Sequence, residues 1–169
     1  MPRHVFEPKQ FHNVLGSLQP VYSIADGDTV VTTTVDAWGF DGSGQRRAEP
    51  PNPMTGPFFI QGAAAGDTLA VTIDRLTPNR DEGWTHGPVA PNVVTPTAAA
   101  ELPKRIRVLW NIERNRGIAT LKDAPPALKA LELPLEPMLG CFGVAPELGQ
   151  AFSTATSSSN GGNMDYRRF

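Results

Sequence analysis

Short runs of β-branched and apolar residues, each cut off within a few positions by glycine, proline or aspartate, recur along most of this chain. Residues 28–36 (Asp-Thr-Val-Val-Thr-Thr-Thr-Val-Asp) give the clearest run, with β-branched side chains at seven of nine positions. Branching at Cβ restricts χ1 and suits a pleated backbone, so the run predicts a strand that ends at Asp36. Shorter strands are predicted over 21–25 and 58–60, and a longer one over 67–76, where Leu69, Val71, Ile73 and Arg75 share one face. Residues 105–113 alternate charged and apolar positions, which predicts a half-exposed strand. A turn at Asn115, Arg116 and Gly117 then leads into a strand over 118–121. An apolar, glycine-interrupted strand follows over 138–145.

Helix signals are few. Residues 97–102 predict a helical turn that Pro103 ends, and 126–133 predict a helix with proline at its start and Leu128 and Leu131 facing inward. Residues 39–53 and 79–96 read as loops, the second holding Trp84, His86 and Asn92. Seven or eight strands with little helix predict a mainly β fold, a β-sandwich or jelly-roll-like core. A weak echo runs through it: Gly27-Asp28-Thr29 and Gly66-Asp67-Thr68 each precede an apolar, partly β-branched run. Two similar strand entries explain the echo, since glycine takes positive φ and aspartate bonds the local backbone.

Composition narrows the function classes. The length of 169 residues predicts a single domain, long enough to bury a core, with 16 Gly and 17 Pro dispersed rather than clustered. Net charge is −2 with no block of like charge, so nothing marks a nucleic-acid or anionic-membrane partner. The single cysteine, Cys141, excludes an internal disulfide and a multi-thiolate zinc site. The first eleven residues are polar, and no apolar stretch is long enough to span a bilayer, so the default expectation is a soluble, cytoplasmic protein.

Few residues invite a chemical reading, and each has a plain one beside it. Asp36 sits where a strand end presents a ligand, or is a turn-initiating aspartate bonding its own backbone. The end of the chain carries Gly161, Gly162, Asn163 and Asp165 after a Ser/Thr-rich stretch. Glycines let backbone approach a ligand, and Asn163 and Asp165, offset by two, fall on one face in extended chain. A simple Asx-turn loop fits the same residues. Cys141, in an apolar run, reads as a small buried hydrophobe rather than a nucleophile. His4, His12 and His86 are far apart, and His86 is the one histidine placed to be a site residue, with a surface loop residue as the stronger reading. No nucleophile elbow, phosphate loop or dinucleotide fingerprint is present.

Four segments, taken in order, resemble the acetamidase/formamidase family. They are Asp26-Gly-Asp-Thr-Val-Val with Val35-Asp36-Ala37; Asn52-Pro-Met-Thr-Gly-Pro-Phe-Phe-Ile-Gln-Gly62 with Gly66-Asp-Thr-Leu; Ala90-Pro-Asn-Val-Val-Thr-Pro96; and Pro137-Met-Leu-Gly-Cys-Phe-Gly-Val-Ala-Pro146 leading to Gly161-Gly-Asn-Met-Asp165. The Asn-Pro-Met-Thr-Gly-Pro and Gly-Gly-Asn-Met-Asp strings are the specific ones. The resemblance implies a mostly β hydrolase acting on the C–N bond of small linear amides, formamide or acetamide, with a divalent metal, zinc foremost. Carried over, Asp36 and Asp165 become metal ligands, Asn163 and Asp165 catalytic residues, and Asn52, Thr55 and Gly56 the substrate-binding turn. Relatives in the family continue past this point, so the resemblance implies that the chain corresponds to an N-terminal portion, with the C-terminal region absent. That leaves two readings open: a metal-assisted amidohydrolase, or a non-catalytic β module. The partners implied are a small amide, and either a second copy (a homo-oligomer) or a complementing C-terminal chain.

Overall fold

The computed structural model describes residues 2–87, 89–90 and 93–167, so Pro91 and Asn92 of the third resembling segment lie outside the described residues, as does Arg168. The chain divides into two compact units, one made of Met1–Thr77 with Pro137–Phe169 and the other of Pro78–Glu136. The architecture is mainly β with little helix, as the pattern predicts, and its sheets are small and open.

The first unit begins with β1 (Arg3–Val5), β2 (Phe11–His12), β3 (Val14–Gly16), β4 (Tyr22–Ile24), β5 (Thr29–Val31), β6 (Met54–Thr55) and β7 (Phe58–Ile60). β1 pairs parallel with β5, β4 parallel with β7, and β2 antiparallel with β6. The strand predicted over 28–36 is thus shorter than its composition suggests. Pairing with β1 ends at Val31, and the side-chain pattern cannot show where a partner runs out. The extended segment that follows is anchored instead from outside, by Thr55 Oγ1 donating to the Thr33 carbonyl at 2.8 Å.

The second unit is an antiparallel meander of β8 (Glu82–Gly87), β9 (Ile106–Glu113), β10 (Ile118–Leu121) and β11 (Glu132–Pro134), with a short helix α1 (Pro96–Glu101) capped by Thr95. The β9 to β10 hairpin turns at Gly117 (φ 68°), as expected. Two expectations need correction here. The loop read at 79–96 contains β8, held by long-range pairing with β9 and by Trp110 Nε1 donating to Thr85 Oγ1 at 3.0 Å. The helix read at 126–133 is one 3-10 turn, Pro126–Leu128, because the backbone from Glu132 onward pairs with β10.

The remainder of the first unit comprises β12 (Cys141–Gly143), β13 (Ala151–Ser153), β14 (Ser157–Ser158) and β15 (Gly161–Asn163). β15 lies between β12 and β14, and β13 pairs back with β3. Among the described residues the buried hydrophobic core is Leu15 alone, 7% exposed, while the most buried side chain is a polar one, Thr154, at 0%. Among the described residues no helix is long and apolar enough to cross a membrane.

Candidate functional site

Thr154 organises the site. Directly after β13 its amide donates to the Asn13 carbonyl at 3.1 Å and its Oγ1 donates to the Pro51 carbonyl at 3.3 Å. Its own carbonyl accepts from Asn52 Nδ2 at 3.2 Å and from the Cys141 thiol at 3.2 Å. One buried threonine therefore joins the β3 region, the Asn52 turn and β12. Sequence reasoning passed over it, because a threonine in a Ser/Thr-rich stretch carries no local mark of burial.

Asn52 stands at φ 47°, a left-handed conformation that asparagine tolerates better than most residues. That geometry lets it face two ways. Its amide donates to the Ala37 carbonyl at 2.9 Å, and its side chain reaches the Thr154 carbonyl. Thr55 is committed to the Thr33 carbonyl, and Gly56 takes φ 115°, where an L side chain would be strained. The Pro50-Pro51 and Gly56-Pro57 peptide bonds are cis.

Asp36 is a turn aspartate. Its Oδ1 accepts the amides of Trp38 and Phe40, both at 2.9 Å, while its carbonyl accepts Gly39 N–H at 2.8 Å. The turn is linked to the rest of the site through Ala37 and Asn52.

Asn163 reaches Cys141 and Asp165 lies over the adjacent Gly140, although not by the route the spacing suggests. Asn163, on β15, stands opposite Cys141 in the register, with Oδ1 3.9 Å from Sγ and Nδ2 3.5 Å from the Ala155 carbonyl. Asp165 is not in extended chain. It takes φ 45°, its amide donates to the Gly140 carbonyl at 3.1 Å, and its carboxylate lies over Gly140, where a Cβ would meet Oδ1 at 3.0 Å. Three described non-glycine residues have positive φ, and two of them, Asn52 and Asp165, belong to this cluster; that concentration marks where the backbone is held away from its ordinary minima.

Gly161 and Gly162 serve the sheet. A Cβ on Gly161 would run into the Phe142 carbonyl oxygen, and one on Gly162 into that of Thr156, so both permit close strand approach. The Cys141 thiol is pushed up to about 11, first by burial and then by the Asp165 charge, with an Asn52 hydrogen bond opposing. A thiol held that high is neutral near pH 7 and a poor nucleophile.

The cluster thus offers two carboxamides, a neutral thiol and an exposed carboxylate. It does not offer a complete zinc site. A catalytic zinc takes three protein ligands, and among the described residues no group of three or more His, Cys, Asp or Glu side chains is placed to hold a metal ion. His86 lies in the second unit, on β8, with its ring 5.0 Å from Trp84. A separate polar cleft of 390 Å³ in the first unit is lined by Lys9, His12, Asn13, Arg47 and Glu49 among others, and not by the candidate residues.

No protein-family model matches the chain, and no curated protein matches it. Solved structures do. An acetamidase from Bacillus halodurans aligns at 24% identity and TM-score 0.66, over 96% of this chain and 53% of the other. A recombinant predicted acetamidase/formamidase from the thermophile Thermoanaerobacter tengcongensis aligns at 21% identity and TM-score 0.68, over 97% and 52%. At such identities the likeness speaks for the fold, and the chain spans about half the length of both neighbours. This chain has the acetamidase/formamidase fold over that half.

Proposed function

We propose that the chain carries part of a hydrolase acting on the C–N bond of small linear amides such as formamide or acetamide. The observation that carries this reading is the clustering of Asn52 and Asn163 about Cys141 and the Thr154 carbonyl, with Asp165 over the adjacent Gly140, in a fold shared with an acetamidase. A primary amide presents one carbonyl acceptor and an NH2 donor, and a carboxamide side chain is its complement in both respects. Asn163 is suited to orient the substrate, with Nδ2 towards its carbonyl oxygen and Oδ1 towards its nitrogen. Its Nδ2 contact with Ala155, at 3.5 Å, is long enough to be exchanged for a better one. Asp165, exposed beside this pair, is suited to take a proton from attacking water and pass it to the departing nitrogen. Asn52, Thr55 and Gly56 act mainly as the frame that fixes the wall of the site.

Asp36 and Asp165 remain the proposed ligands of a divalent metal, zinc foremost. The donors among the described residues do not complete such a site, so no step is routed through it. A second reading is a non-catalytic β module, and the observation beside it is the exposure of the apolar side chains Leu69, Val71 and Ile73.

Ammonia release from formamide tests the proposal, with zinc content measured on the same preparation. Asp165→Asn keeps a residue that tolerates positive φ and removes the base, so it should lower turnover at least 100-fold. Unchanged turnover in Asp165→Asn and Asn163→Ala would remove this site from consideration.

A further inference from the structure

A hydrogen-bonded row of three titratable side chains lies in the first unit, outside the cluster of Asn52, Asn163 and Asp165. His4, on β1, places Nε2 2.8 Å from Asp28 Oδ2 and Nδ1 3.2 Å from the hydroxyl of Tyr22, on β4. Parallel pairing of β1 with β5 sets His4 opposite Val30, two residues past Asp28. Pairing of β4 with β7 sets Tyr22 opposite Phe58, and the Phe6 ring lies 5.7 Å from Tyr22 and 5.3 Å from Phe58. Strand register and ring contacts thus hold both the imidazole and the phenol. The histidine is not needed for the turn that Asp28 makes. The second Gly-Asp-Thr segment folds alike, with Ala64 N–H donating to Asp67 Oδ2 at 2.8 Å as Ala25 N–H does to Asp28 Oδ2 at 2.9 Å, and no described histidine bonds Asp67.

The chemistry of the three groups fixes where the protons lie. The Ala25 amide first, and the His4 hydrogen bond second, hold the Asp28 carboxyl below the usual carboxylate range, so it is ionised at neutral pH and can only accept. Nε2 of His4 therefore carries a hydrogen. In the neutral ring Nδ1 is then an acceptor, and the Tyr22 hydroxyl donates to it. The phenol has a base in contact with the proton it must lose, and that base is oriented from its far side by a carboxylate. The Asp28 side chain is shielded at 7% exposure, while Tyr22 is open at 37%.

We propose that Tyr22 is a covalent modification site, a nucleophile that His4 and Asp28 prepare to accept an acyl group from an activated ester. Tyr22 Oη attacks the acyl carbon and forms the new O–C bond. The bond from that carbon to the leaving oxygen breaks with its electron pair, and the phenol proton passes to His4 Nδ1. The products are an aryl ester on Tyr22, the released alkoxide or phenolate, and a His4 imidazolium paired with the Asp28 carboxylate. His4 touches the reacting oxygen, whereas Asp28 is a positioning residue that sets the tautomer of His4. The site stands apart from amide hydrolysis, since none of its three residues belongs to the Asn52, Asn163 and Asp165 cluster.

The test is incubation of the full chain with p-nitrophenyl acetate at neutral pH, read by p-nitrophenolate release and by peptide mass spectrometry. The chain has two tyrosines. Tyr22 should gain one acetyl group about tenfold faster than Tyr166, although Tyr166 is the more exposed at 54%. That comparison is made in the parent chain and does not depend on any variant folding. His4→Gln should slow acetylation of Tyr22 about 100-fold, and Tyr22→Phe should leave that peptide unmodified. Asp28→Asn keeps an acceptor for Ala25 N–H but offers an N–H to His4 Nε2, which moves the ring proton to Nδ1 and turns the phenol into an acceptor. It should slow acetylation by a similar factor, with the change of tautomer visible in nitrogen NMR of His4. Acetylation of Tyr166 as fast as that of Tyr22, or of Tyr22 undiminished in His4→Gln, would overturn the proposal. An acetyl group recovered on His4 instead would overturn it too, by making the imidazole the nucleophile.

Discussion

Thr154 and Asn52 show how much of this site is decided by single residues whose importance the sequence conceals. Asn52→Ala removes a hydrogen bond to a buried carbonyl and puts a Cβ-bearing residue without a local polar group at φ 47°. The expected loss is about 1–3 kcal/mol by urea unfolding. Asn52→Gly loses the bond but not the backbone geometry, and should fall nearer the low end. Cys141 provides a pH-dependent readout of the same cluster. Its thiol is raised from 9.0 to about 11 in the folded protein, so the folded state holds its proton more tightly than the unfolded chain does. The resulting stability is present below about pH 9 and is lost as pH rises through about 11. Asp165→Asn removes a charge that raises this thiol, so the midpoint of pH-dependent alkylation should move down; an unmoved midpoint would mean that Asp165 is not beside Cys141. The inert character of Cys141 was legible in the sequence, from the apolar run around it. The hub role of Thr154 was not, since burial of a threonine depends on partners as far away as Pro51, 103 positions earlier.

Among the elements, strands with strong local alternation came through and those defined by distant pairing did not. β9 and its hairpin to β10 follow directly from the charged-apolar pattern of 105–113 and the turn at Gly117. β8 escaped because glycine, tryptophan and histidine in a loop-like context give no period. Its existence rests on six register pairs with β9. The run over 28–36 erred in the other direction, having strand composition over nine positions but a partner for only Thr29–Val31. Glycines 161 and 162 were read as room for a ligand and prove to be room for neighbouring strands. Alanine at either site meets a backbone oxygen and a positive φ, so Gly161→Ala and Gly162→Ala should each cost more than about 2 kcal/mol. Gly44→Ala, with φ 79° but nothing within 4 Å, isolates the conformational cost and should lose about 1 kcal/mol. Equal losses at all three, in thermal or urea unfolding, would contradict the close strand approach.

For the whole molecule, composition promised a core that the structure largely lacks. A chain of 169 residues can bury many side chains, yet Leu15 is the buried hydrophobic residue among those described, while Val5, Phe59, Val71, Leu148 and others face solvent. Sequence alone could not reveal this, because an apolar residue in a strand looks the same whether its cover is within the chain or outside it. The isolated chain should accordingly bind the hydrophobic dye ANS and unfold over a broad denaturant range. A steep two-state transition without dye binding would indicate a self-sufficient fold. The claim on which the functional reading depends is that a small amide sits among Asn52, Asn163 and Asp165. A residue-resolved NMR titration with acetamide tests it most directly. The amides and carboxamide groups of those three residues should shift together and saturably, and Asn163→Ala should abolish the response. Shifts confined to the Lys9, His12 and Arg47 cleft, or none at all, would contradict the account.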